Sequence, residues 1–298
     1  MNKTVTPPTD IARAVETVPP ALLFEMIRSF VAMARTLNLS HAVKELNSTR
    51  QTVRRHITAL EELKGGALFD VRERRYALSP LGERVLPEAK ELQANATAWI
   101  SGQAEKVNGL QYLSHQSGDG SFFYQQQHQV DLVFSSTGTM LQDVIKGWSL
   151  AGGQLEHEAL KSVRPFCNIF RRAQGELVFT EVGEDSSFVS WFGSALAQST
   201  IGRTMGQMPG GDVFEHLMNM AYSEIERSQA IRLDHIHTIM AKEGSDVPVP
   251  IAYERLMLGA RYPDQSPAII SVVRRTYDVK IRDVTSAMVR RMPEEALM

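Results

Sequence analysis

Between Thr49 and Arg55 the chain reads Thr-Arg-Gln-Thr-Val-Arg-Arg, and Arg50, Gln51, Arg54 and Arg55 carry donors that suit phosphate oxygens and the acceptor edges of bases. A second basic set, Arg72, Arg74 and Arg75, follows downstream. Guanidinium groups this dense on neighbouring segments suit nucleic-acid contact. Phosphate contacts fix position, and base-edge contacts carry sequence. Residues 21–86 hold 11 Lys and Arg against 7 Asp and Glu, although the whole chain has a formal net charge of −2. Positive charge is therefore concentrated in this one segment.

Other chemistries find less support. Cys167 is the single cysteine among 298 residues, so an internal disulfide is impossible and cysteine-based metal sites lack ligands. No P-loop, GxSxG, GxGxxG or HExxH pattern occurs, so neither a catalytic residue nor a cofactor is expected. His115 and His128 have no metal-ligand spacing and are expected in solvent, and strand-like alternation accounts for His235 and His237. His216 likewise suggests no metal. The chain lacks a membrane-length apolar run, and residues 1–10 lack a signal-peptide stretch, which points to the cytoplasm.

The elements that must position the basic residues are short helices. Leu23, Met26, Ile27, Phe30 and Ala34 recur at one-face helical spacing. Asn38 suits the cap of a second helix carrying Leu39, Ala42, Val43 and Leu46, and Thr49 the cap of a third. In that third helix Val53, Ile57 and Leu60 face inward, which sends Arg50, Gln51, Arg54 and Arg55 outward. Two short helices about a tight connection suit a helix-turn-helix, though a plain helical bundle shares the spacing. Gly65-Gly66, the Leu68-Phe69 anchor, Arg72, Arg74, Arg75 and the Ser79-Pro80 helix start add a β-wing with basic residues at its tip.

Across this segment the chain resembles the LysR-type transcriptional regulators. Phe30 to Ala34 is similar to the family's first-helix signature, Ala42 to Asn47 to its second helix, and Val53, Arg55, His56, Ile57, Leu60 and Glu61 to its recognition helix. Leu68-Phe69, Arg74-Arg75 and Leu78 to Gly82 resemble its wing and linker-helix start. The resemblance implies a winged helix-turn-helix that binds double-stranded DNA through Thr49, Arg50, Gln51, Arg54, Arg55, Arg72, Arg74 and Arg75. Arg50 replaces a usual glutamine, Arg54 a serine, Leu37 a glycine and Val71 an arginine, so the family's operator preference does not transfer.

Beyond Pro80, Val85, Ala89, Leu92, Ala96 and Trp99 alternate at spacings of four and three and form one apolar seam. The resemblance implies that such a helix pairs with its copy, giving a homodimer or tetramer; packing on the chain's own second domain is the alternative. Pro87 is expected to bend it.

The C-terminal half departs from the family. Residues 107–154 open polar, with Gln125-Gln126-Gln127, and suggest a linker region. Two short strands near Cys167–Thr180, helices near Phe188–Ala197 and Val213–Ser228, and strands at Ile236–Met240, Tyr253–Leu258 and Ile269–Val273 follow. This order, with Ile201 to Thr204 and Tyr253 to Leu258, resembles a PAS-type sensor. A divergent LysR effector or another α+β domain remains open. Trp191, Phe192, Phe214, Met218 and Tyr222 would line a pocket for a small-molecule effector.

The expected class is α+β: a flexible arm over 1–20, a winged helix-turn-helix over 21–79, a linker and dimerisation helix over 80–106, a linker region over 107–154, a PAS-like antiparallel sheet with helices over 155–285, and a tail over 286–298. The sheet is expected to have five strands with helices on one face, and to bury Phe170, Val178, Leu256, Leu258 and Val272 near an interior pocket. The expected function is a DNA-binding transcription regulator; an enzyme or protein-interaction module with an accessory helix-turn-helix is the alternative.

Overall fold

Helix α1 (Leu23–Thr36) buries Met26, Ile27, Phe30 and Met33 along one face, as their spacing requires. It is the first helix of the part of the chain that a computed structural model describes, namely residues 20–72, 75–135, 138–173, 176–207, 211–245 and 247–297. The expected arm over 1–20 lies, apart from Pro20, outside the described residues. The chain divides into two units, Met1–Gln93 and Ala94–Met298.

In the first unit α2 (Leu39–Glu45) and α3 (Arg50–Lys64) follow α1. A hairpin of β1 (Phe69–Arg72) and β2 (Arg75–Leu78) pairs Phe69 with Leu78, and α4 (Pro80–Ile100) carries the chain across the boundary. Each boundary has a local cause. Asn38 Oδ1 accepts from the N–H groups of Ser40 (2.9 Å) and His41 (3.3 Å), and Thr49 Oγ1 accepts from Thr52 N–H at 3.1 Å. Gly65 ends α3 at φ 74°. Ser79 Oγ accepts from Gly82 N–H at 2.9 Å and donates to Ala67 O at 2.5 Å. That closeness demands glycine at 82, where a Cβ would stand 2.1 Å from Leu68 O. Phe30, Leu60, Leu68 and Leu86 form the core.

The second unit contains β3 (Ala104–Val107), β4 (Leu110–Gln116), β5 (Phe122–His128), α5 (Leu132–Ser135), α6 (Met140–Ala151), β6 (Asn168–Ala173) and β7 (Glu176–Val182). It continues with α7 (Ser187–Thr200), α8 (Gly211–Ser228), β8 (Ile231–Ala241), β9 (Pro248–Arg261), β10 (Pro267–Arg275) and α9 (Ser286–Val289). Among the described residues the strands form an eight-stranded sheet ordered β3-β4-β5-β8-β9-β10-β6-β7. Every ladder in it is antiparallel.

Both faces are covered, which corrects the expectation of helices on one face. Phe170, Ile236, Tyr253, Met257 and Ile269 join a cluster with Trp191 and Met218, whereas Ile169, Leu233, Leu256, Leu258, Ile270 and Val272 join one with Val144 and Ile145 of α6. Neighbouring residues enter different clusters because side chains alternate along a strand. Of the residues expected beside one pocket, only Phe170 therefore lies on its side. Leu256, Leu258 and Val272 are buried on the opposite face, and Val178 is half-buried while Leu177 and Phe179 take the core positions.

The expected linker over 107–154 instead carries β4, β5, α5 and α6. Its glutamines are compatible with the sheet because they bond within it: Gln125 Oε1 accepts from Arg255 Nη2 at 3.0 Å, and Gln126 Oε1 from Arg282 N–H at 2.7 Å. The linker helix stops at Ile100, and Ala104–Val107 is already an edge strand. The expected tail over 286–298 contributes Val289, Met292 and Ala296 to the core.

Candidate nucleic-acid interface and interior pocket

Arg50, Gln51, Arg54 and Arg55 are all exposed on α3, opposite the buried Val53, His56 and Leu60. Three exposed arginines and a glutamine thus occupy the first turns of a helix whose first turn contains no acidic residue. The positive end of the helix dipole points the same way and favours phosphate. Arg50 Nη2 donates to Ser40 Oγ at 2.8 Å, which holds the guanidinium against the start of α2. Arg50, Arg54 and Arg75 line a single groove of about 710 Å³ with Ser40 and Tyr76. Thr49 serves as cap, its Oγ1 being 2.9 Å from Thr52 Oγ1. Arg74 and the side chain of Arg72 lie outside the described residues.

Sequence reasoning overlooked what holds α3 in place. Ser29 Oγ of α1 lies 2.9 Å from His56 Nδ1, and both residues are buried. A polar residue at an inward position of α3, with a serine on the inward face of α1, was the available signal.

The seam of α4 divides. Val85 and Ala89 pack on the winged core, and Ala96 is half-buried. Leu92 is 50% exposed and Trp99 74% exposed, next to Ile100 at 73%.

In the second unit Trp191, Phe192, Met218 and Tyr222 line a cavity of about 100 Å³ between the sheet and α7 and α8. Phe214 was expected with them; its side chain lies outside the described residues. The structure adds Arg255 and Asn168 to the lining. Arg255 and Asp234 are directly opposite on β9 and β8, with Arg255 Nη2 donating to Asp234 Oδ2 at 2.7 Å. Arg232 Nε donates to the same carboxylate at 2.9 Å, and its Nη1 to Glu224. Burial alone would raise the Asp234 pKa, yet the charges of Arg232 and Arg255 hold it below the usual carboxylate range. Opposite charges at alternate positions of one strand, Arg232 and Asp234, were the sequence signal.

Burial pushes the Cys167 thiol up to about 12, and its Sγ lies 3.1 Å from Val163 O, so it is a packed thiol. His115 and His128, expected in solvent, are half-buried: His115 Nδ1 lies 2.8 Å from Gln103 Nε2, and His128 Nε2 2.7 Å from Lys280 O. His235 and His237 are buried in β8; the side chain of His216 lies outside the described residues. Among the described residues no helix is long and apolar enough to cross a membrane.

Comparison with known proteins agrees with the first unit. Residues 24–83 match the bacterial regulatory helix-turn-helix protein, lysR family. The chain is 31% identical over 88 residues to the HTH-type transcriptional regulator HdfR of Yersinia enterocolitica, covering 30% of this chain and 29% of that protein. It is 33% identical over 87 residues to the HTH-type transcriptional activator AllS of Klebsiella pneumoniae, covering 28% and 31%. Corynebacterium glutamicum OxyR in its oxidized form is similar over 29% of this chain and 27% of its own, at 26% identity and a TM-score of 0.27. The chain thus matches about three-tenths of the length of these curated relatives. The sequence match covers α1 to the start of α4, the same elements that present Arg50, Gln51, Arg54 and Arg55, and residues 24–83 are accordingly similar to the helix-turn-helix of the lysR family.

Proposed function

We propose that this chain is a DNA-binding transcriptional regulator of LysR type whose second unit is a PAS-like sensor of a small-molecule effector. The observation that carries the DNA-binding reading is that the exposed basic face of α3 lies inside the segment matching the lysR helix-turn-helix. Arg50, at the helix start, reads base edges; Arg54, Arg55 and the wing arginines Arg72, Arg74 and Arg75 contact phosphate. Gln51 and Thr49 complete the contact surface. The relatives' names, a transcriptional regulator and a transcriptional activator, support regulation over catalysis.

The PAS-like reading is supported by the run β8-β9-β10-β6-β7, which is contiguous and antiparallel. The helices α7 and α8 fall between β7 and β8 in sequence, and the lined cavity sits under them. Two copies joined through the exposed part of α4, Leu92 and Trp99, would present two recognition helices to two half-sites.

A mobility-shift assay with genomic fragments tests the DNA-binding reading. The expected result is a discrete complex with a few fragments that survives an excess of random duplex. Complexes that random duplex removes from every fragment alike would overturn sequence-specific recognition.

A further inference from the structure

We infer that the cavity of the second unit binds a neutral molecule of single-ring size that presents a carbonyl oxygen to Arg255. This rests on the sensor reading above and assigns its ligand class. The volume, about 100 Å³, is on the scale of the roughly 150 Å³ apolar cavity that admits benzene. The space is smaller than that cavity, so one ring with a short substituent enters as the flexible methionine side chains of the wall give way, and a fused cofactor is excluded.

The walls select for such a ring. Phe170, Phe179, Phe188, Trp191, Phe192 and Tyr222 surround the space, and the thioethers of Met205, Met218 and Met240 can repack around it.

The polar atoms define the substituent. Arg255 is 1% exposed. Its Nη2 donates to Asp234 Oδ2 at 2.7 Å and Gln125 Oε1 at 3.0 Å. Its Nη1 meets Met218 Sδ at 2.7 Å, and a thioether is a weak acceptor. Its Nε, also buried, has no partner among the described residues. An orphaned guanidinium N–H in an aromatic cavity is costly until an acceptor arrives. Asn168, which is 7% exposed, also lines the cavity, and its Oδ1 likewise has no partner among the described residues. A ligand that offers an acceptor to Arg255 and an N–H to Asn168 satisfies both, and a carboxamide does so.

Charge argues for neutrality. Arg232 and Arg255 are already balanced by Asp234 and Glu224. A carboxylate presented to Arg255 would bring an extra negative charge to a guanidinium already paired with a buried carboxylate.

Isothermal titration of the purified full chain with benzamide, benzoate and toluene tests this. Benzamide should bind, with benzoate and toluene each at least tenfold weaker. Arg255→Met removes a member of the buried charge network and can unfold the protein, so the cavity is blocked instead with Val273→Phe, placed on β10 among the lining residues. That variant should lose benzamide binding while its circular dichroism spectrum stays unchanged. Benzoate or toluene binding as tightly as benzamide overturns the carbonyl assignment, and a folded Val273→Phe protein that still binds benzamide overturns the cavity as its site; both leave the sensor reading standing. No binding by any of the three probes overturns the ligand class and leaves the sensor reading standing.

Discussion

Ser29 Oγ and His56 Nδ1 meet at 2.9 Å in the core between α1 and α3. The pair adds a polar tie to the apolar contacts of Ile57 and Leu60 that hold α3 against the core. Ser29→Ala leaves a buried ring nitrogen unpaired and should cost roughly 1–3 kcal/mol. Chemical denaturation followed by circular dichroism measures it, and an unchanged midpoint would show that the pair does not hold the helix.

Leu37 closes α1 in the left-handed region at φ 46°, with its side chain 43% exposed. A branched side chain is strained there, and little packing offsets the strain. Leu37→Gly should stabilise the first unit by up to about 1 kcal/mol, since relief of strain outweighs the extra freedom gained by the unfolded chain. Destabilisation of the same size would mean that Leu37 contributes packing its exposure does not suggest.

Leu92 and Trp99 are the exposed apolar members of the α4 seam. Leu92→Glu places a charge where two copies would meet, and like charges buried without partners are not tolerated cheaply. Sedimentation should show monomers in place of dimers, with the circular dichroism spectrum retained. A variant that sediments as an unchanged dimer would exclude this seam.

Burial lowers the pKa of His128 and of His237. Around His128, the charges of His235 and Lys280 oppose protonation, while the Lys280 carbonyl and Asp234 favour it. For His237, Arg291 opposes it and the Ile251 carbonyl favours it. Free histidine titrates near 6.5, so the unfolded chain takes up these protons first as pH falls. The stability that the two neutral rings contribute is complete above about pH 6.5 and is lost as pH drops toward their lower folded values. The thermal midpoint of the second unit should therefore be lower at pH 5.5 than at pH 7.5, and the drop should shrink in a His128→Gln, His237→Gln double variant. An equal drop in both proteins would assign the effect to other groups.

The first unit was legible in the sequence because its signals are local. Asn38 and Thr49 cap the helices they precede, and helical spacing alone exposes Arg50 and Arg54. The second unit was legible only in part. Alternation marked β8, β9 and β10, but it did not reveal which face of Leu256 or Val272 meets the cavity, because both faces of these strands are buried. Residues 107–128 looked like a linker because their strands carry glutamines whose partners, Arg255 and Arg282, are remote in sequence. Of the cavity lining, the helical residues Trp191, Phe192, Met218 and Tyr222 were found by spacing. Arg255 and Asn168 reach the same space through strand register, which only the fold supplies.

Equilibrium binding of the intact protein and of Arg50→Ala to a selected site and to random duplex, across a range of salt, is the most direct test of a sequence-reading helix. The intact protein should prefer the selected site by about a thousandfold or more. Arg50→Ala should lose roughly 1–3 kcal/mol on that site and much less on random DNA. Arg54→Ala should weaken both alike and flatten the slope of log affinity against log salt by about 0.9. An intact protein with no preference between the two duplexes, or an Arg50→Ala protein that weakens on both equally, would contradict the claim that α3 reads sequence.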